Sequence, residues 1–153
     1  MAYGREFWSA ASRGLAPLLV GPPGVYKSYS AAVLAKQIHE KACVRVAWCD
    51  VPVTLFQLER KRFQHATDEL IDSWKQVPWL VIDDFAMVQV GSWQHGVLCE
   101  VAMHRFSHGK PTCWTGNIQF ARGQQSALVD AVGAQLARRL MEGSEGFRLA
   151  IPA

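Results

Sequence analysis

The chain has 153 residues, half of them hydrophobic, and a formal net charge of +3. That is enough for one globular domain with a proper core and leaves little room for a second. No apolar run approaches the ~20 residues of a membrane span, and the N-terminus lacks the apolar stretch of a signal peptide, so a cytoplasmic protein without membrane contact is expected. The mild positive charge permits contact with nucleic acid without demanding it.

Pro17 to Val20 reads as a first strand, and it runs into Gly21-Pro22-Pro23-Gly24-Val25-Tyr26-Lys27-Ser28. This is the phosphate-loop pattern G-x-x-x-x-G-K-[ST] with its last glycine replaced by Tyr26. In such a loop backbone amides cradle the phosphates, the lysine reaches the β and γ oxygens, and the hydroxyl binds Mg²⁺. Ser30 to Ile38 reads as the alanine-rich helix whose N-terminus faces the anion. The candidate ATP contacts are therefore Gly21, Pro22, Pro23, Gly24, Val25, Tyr26, Lys27, Ser28 and Tyr29. A side chain at Tyr26 makes a positive φ costly, so loop geometry and rate are expected to suffer more than binding.

Cys43 to Cys49 alternates as a second strand, and Thr54 to Phe63 and Ala66 to Lys75 read as two short helices. Within the first, Arg60-Lys61-Arg62-Phe63 sets three cations beside an aromatic. Lys61 and Arg62 are candidates for single-stranded DNA, whose backbone attracts cations. Phe63 is expected in the core. Pro78 to Ile82 is a compact apolar strand that delivers Asp83 and Asp84 at its C-terminal end, the edge where ligands bind in open α/β sheets and where the phosphate loop must also lie. Asp83 is assigned to Mg²⁺, with Ser28, and Asp84 to the attacking water. In isolation the same residues would read as a strand-end turn with solvated acids.

Ser92 is a helix N-cap, followed by Trp93, Val97, Leu98, Val101, Ala102 and Phe106 at helical spacing and closed by Gly109 and Pro111. His104 and His108, four apart on this helix, lack a third ligand and are not read as a metal site. Thr112 to Thr115 is a fourth strand, after which Asn117 can hydrogen-bond a γ-phosphate or the water beside it without repelling the nucleotide. Leu128, Val132, Leu136 and Leu140 mark a helix that stops at Gly143, and Phe147 to Ile151 makes a last strand. Alternating strands and helices predict an α/β fold of three layers, helices on both faces of a five-stranded, mainly parallel sheet. Cys43, Cys49, Cys99 and Cys113 show no C-x-x-C spacing and sit mostly in apolar segments, so neither disulfides nor zinc are expected. The tryptophans, Trp48, Trp79 and Trp114 among them, read as core or sheet-packing residues.

From about Leu15 to Ile151 the chain resembles the AAA+ ATPases of the DnaC/IstB type, bacterial helicase loaders and transposition helper ATPases. The resemblance rests on Gly21 to Ser28, the paired Asp83-Asp84, Arg105-Phe106 before Lys110 to Asn117, and Arg139-Leu140-Met141-Glu142-Gly143. It implies a P-loop NTPase of AAA+ type that uses ATP and Mg²⁺, with Asn117 as first sensor and Arg139 as the finger reaching a neighbouring subunit's nucleotide. It also implies a homo-oligomeric ring or spiral, single-stranded DNA as a ligand, and a replicative helicase or a transposase as partner. The expected unit is one AAA+ core over 1–153, with 1–14 as a lead-in, without the loaders' additional N-terminal domain and without a C-terminal lid. The alternatives are a nucleotide-gated interaction module with little hydrolysis, and a RecA-like helicase or recombinase core, which the Tyr-Lys-Ser loop suggests.

Overall fold

The computed structural model describes residues 9–10, 12–118 and 125–150. Residues 1–8 of the lead-in and Ile151 at the end of the last expected strand lie outside the described residues. The strands are β1 (Leu18–Val20), β2 (Val46–Asp50), β3 (Trp79–Asp83), β4 (Thr112–Gly116) and β5 (Arg148–Ala150), and the helices are α1 (Lys27–Ala42), α2 (Phe56–Glu59), α3 (His65–Gln76), α4 (Trp93–Ser107) and α5 (Gln125–Glu142). All strand pairings are parallel, in the order β2-β3-β4-β1-β5. Every residue of β3 and β4 is buried, as an apolar strand covered on both faces must be.

Alternate side chains of each central strand go to opposite layers. Leu18, Val20, Leu80, Ile82 and Trp114 join the core beneath α3, α4 and α5, whereas Leu19, Trp79, Val81 and Cys113 meet Ala31, Leu34, Ala35 and Ile38 of α1. The three-layer α/β expectation is borne out. Among the described residues no helix is long and apolar enough to cross a membrane.

Several local expectations are corrected. The first helix begins at Lys27, not Ser30, and runs to Ala42. The second strand begins at Val46, not Cys43, because Cys43 closes α1 in a left-handed conformation with φ 52 and so turns the chain. The helix expected over Thr54 to Phe63 is a π-helical turn at Val51–Leu55, capped by the Asp50 carboxylate, followed by the single turn α2. Phe63 therefore lies on no helix face; it is 91% exposed, with the Arg62 guanidinium 4.9 Å from its ring centroid, and it is not core. Trp79 and Trp114 are buried as expected, but Trp48 on the edge strand β2 is partly exposed. The last helix is not continuous: Gly133, at φ 75 and ψ 157, breaks α5. There the His95 ring places Nε2 2.8 Å from the Val132 carbonyl oxygen, supplying a partner beside the break.

The largest buried polar group is Arg105 of α4, fully removed from solvent. Its guanidinium donates to the carbonyls of Trp74, Val77 and Pro111 at 2.7, 2.6 and 2.6 Å and to Thr112 Oγ1 at 2.7 Å. Burial pulls its pKa down to about 9, which leaves it charged near neutral pH. Val77 and Pro111 each precede a central strand, so this one cation fixes where β3 and β4 begin. Replacing Arg105 by Met leaves those carbonyls buried without a donor, and we expect a loss of about 3–5 kcal/mol in denaturant unfolding.

Candidate nucleotide site

The site stands on the C-terminal edge of the sheet, where β1, β3 and β4 end side by side. The chain leaves β1 at Gly21, whose N–H donates to the Gly116 carbonyl at 3.3 Å, tying the loop's entry to the end of β4. Gly24 takes φ 82, a backbone that glycine tolerates freely. Tyr26 adopts the left-handed conformation at φ 60 and ψ 27, and its carbonyl accepts the Ser30 N–H at 2.8 Å to open α1. The substituted position thus keeps the backbone that a glycine would take, at a steric cost of about 1–2 kcal/mol. Its ring points outward, 76% exposed, edge to face with Tyr29.

Lys27 is buried at the start of α1, and its Nζ donates to the Pro22 carbonyl at 2.6 Å. Burial lowers its pKa, against the opposing charges of Asp84 and Asp83. Asp83, at the end of β3, accepts a short hydrogen bond from the Thr115 hydroxyl, and the same hydroxyl oxygen accepts the Asp84 N–H at 3.1 Å. Thr115 therefore clamps both acids to β4, a role hidden in sequence because Thr-Gly-Asn reads as an ordinary turn. Asp84 turns the chain at φ 57, and its Oδ1 accepts from Asn117 Nδ2 at 3.1 Å. Its pKa is raised, first by burial and then by the charge of Asp83, with Lys27 opposing. Behind it Phe85 packs against Gly116 so closely that a Cβ there would meet the ring at 2.7 Å.

Pro23, Gly24, Tyr26, Lys27, Ser28, Tyr29, Asp84 and Asn117 line one open cleft of about 550 Å³, within the range of small-molecule sites. Three signals that are far apart in sequence meet there. Arg139 does not. It sits at the opposite edge of the sheet, lining a small cavity with Gly14, Lys110, Thr112 and Gly143. Its guanidinium lies 4.7 Å from the Phe106 ring centroid and donates to Glu142 at 2.7 Å. Lys61 and Arg62 are exposed on the turn after α2 and are not among the residues that line the cleft. The His104 and His108 rings stack at 4.1 Å, and among the described residues no group of three or more His, Cys, Asp or Glu gathers to hold a metal. Ser28 and Asp83 are the residues that would hold Mg²⁺, an ion that binds through one or two protein oxygens together with the substrate's phosphates. The Asp84 pKa is raised mainly by burial, and a cation beside Asp83 would relieve the smaller part that the Asp83 charge adds.

The fold and the loop are those of a P-loop α/β domain. No family model matches the chain, and no curated protein matches it. Solved structures do. The DnaC helicase loader is 24% identical with a TM-score of 0.85, covering 98% of this chain and 84% of its own. DnaI is 22% identical with a TM-score of 0.74, covering 99% and 81%. The replication initiator DnaA bound to AMPPCP and single-stranded DNA is 14% identical with a TM-score of 0.74, and this chain spans 43% of its length. The resemblance to AAA+ ATPases of the DnaC/IstB type is borne out in the fold.

Two outcomes are expected. Asp84 has its pKa raised by folding, so ionising it costs stability as pH rises through that raised value, and the loss persists at neutral pH. Asp84→Asn should therefore melt about 2–4 °C higher at pH 7, with the gap closing as pH falls into the ordinary carboxylate range. Tyr26→Gly should keep or raise affinity for labelled ATP in a titration, because the backbone already has the conformation glycine prefers; weaker binding would refute this.

Proposed function

We propose that this chain binds ATP with Mg²⁺ and hydrolyses it as an AAA+ ATPase of DNA replication, of the helicase-loader kind. The observation that carries the reading is the convergence of Lys27, Ser28, Asp84 and Asn117 on one cleft beside the buried Asp83. Lys27 would stabilise the β and γ phosphates, and Ser28 and Asp83 would hold the cation, whose part is to neutralise charge on the phosphate oxygens. Asp84, with its proton affinity raised, suits acceptance of a proton from the attacking water, and Asn117 orients that carboxylate.

Arg139 cannot serve the nucleotide of its own chain from the far edge of the sheet, which supports action on a neighbouring copy in a homo-oligomer. A guanidinium there suits the charge spread over a γ-phosphoryl group in transfer. Lys61, Arg62 and the exposed Phe63 supply the cations and stacking surface that single-stranded DNA takes. A replicative helicase is the partner proposed, by likeness to DnaC and DnaI. A second reading, a nucleotide-gated module with little turnover, is favoured by one observation, the strained Tyr26 in the loop.

The test is steady-state ATP hydrolysis against protein concentration, with and without single-stranded DNA. The rate per subunit should climb with concentration and respond to DNA, and Arg139→Ala should lower the assembled rate at least 10³-fold. A flat, near-zero rate despite ATP binding would favour the gated module, and unchanged hydrolysis by assembled Arg139→Ala would sink the trans role.

A further inference from the structure

Two features hold residues that the proposed chemistry does not use. One is the aromatic pair at the mouth of the cleft. Tyr26 and Tyr29 stand with ring centroids 6.5 Å apart at 75°, 76% and 68% exposed, next to Lys27 and Asp84. Tyr26 holds a strained backbone while most of its ring remains in solvent. Strain of this kind clusters where a segment receives a ligand or partner.

The other is the end of α5. Glu142 accepts Arg138 Nε on one carboxylate oxygen at 3.0 Å and Arg139 Nη1 on the other at 2.7 Å, so it holds two guanidinium groups side by side. Arg139 is braced against Phe106 and only 23% exposed, whereas Arg138 is 68% exposed. This clasp occupies the edge of the sheet opposite the tyrosines, so the two surfaces of one chain cannot meet. Two copies would bring them together only in a head-to-tail contact, the kind that repeats around a ring or along a spiral.

The geometry points to Arg138 of one copy seating against the Tyr26–Tyr29 pair of the next, within the same contact that brings Arg139 to the nucleotide. This rests on the trans reading of Arg139 given above. The chemistry is a planar cation on an electron-rich ring, which arginine makes better than lysine. The chain already makes such contacts internally at Arg139 on Phe106 and Arg62 on Phe63. Tyr26 would then report a neighbour's arrival directly to the phosphate loop that carries it.

A double-mutant cycle tests this, read as the midpoint protein concentration for assembly in sedimentation with Mg²⁺ and AMPPCP saturating for each variant. Tyr26→Gly and Arg138→Gln should each raise the midpoint about fivefold, and the combined variant should be no worse than either alone. Tyr29→Leu, on a strain-free helical position, should act like Tyr26→Gly, and Tyr26→Phe should assemble like the parent chain. Single effects that multiply in the combined variant, or singles that assemble normally, overturn the inference and leave the ATPase reading standing. A parent chain that stays monomeric with AMPPCP and Mg²⁺ overturns the trans reading and this contact together.

Discussion

The two central strands are pinned at both ends by buried polar groups, and the placement of everything else follows. At the N-terminal end the Arg105 guanidinium gathers the carbonyls that precede β3 and β4. At the C-terminal end the Thr115 hydroxyl joins Asp83 to the backbone of Asp84. A parallel pair held so cannot slip by a residue without losing both sets of bonds, and a one-residue slip would turn Asp83 to the other face of the sheet. The carboxylates' positions are thus set by strand register, with no need for the exposed loops to be rigid.

The same architecture splits the residues proposed for catalysis between two edges. One edge carries the loop lysine, the acids and the sensing amide; the other carries the two arginines. On the proposed reading, such a division would leave a single copy incomplete as a hydrolase and make a head-to-tail neighbour its complement. It also makes the break in α5 at Gly133 consequential, because the half-helix beyond it, bearing Arg138, Arg139 and Glu142, is separated from the half that precedes it.

Much of this was legible in the sequence, for identifiable reasons. The phosphate loop, the paired aspartates and the Ser92 cap, which accepts the His95 N–H at 3.2 Å, are defined by residues within a few positions of one another. Local chemistry decides them. Phe63 misled because its helical context was assumed: the helix is replaced by a π-helical turn that begins at Val51, and an aromatic after a short turn has no core face to occupy. The burial of Arg105 was invisible because its carbonyl partners lie up to 31 residues away, and carbonyls leave no trace in side-chain spelling. Thr115 escaped for a similar reason, its two acids being some thirty residues upstream.

Tyr26 and Asp84 both line the cleft, and both hold left-handed backbone that their side chains resist. Each such residue forgoes about 1–3 kcal/mol of the domain's net stability, a sizeable share of the 5–15 kcal/mol that holds a typical domain together. Selection for thermal robustness alone would find gains at both positions, as it would at Cys43. A thermostable descendant that had replaced Asp84 would keep the sheet, the core and the outline of the cleft, and would lose the carboxylate proposed to take the proton of the attacking water.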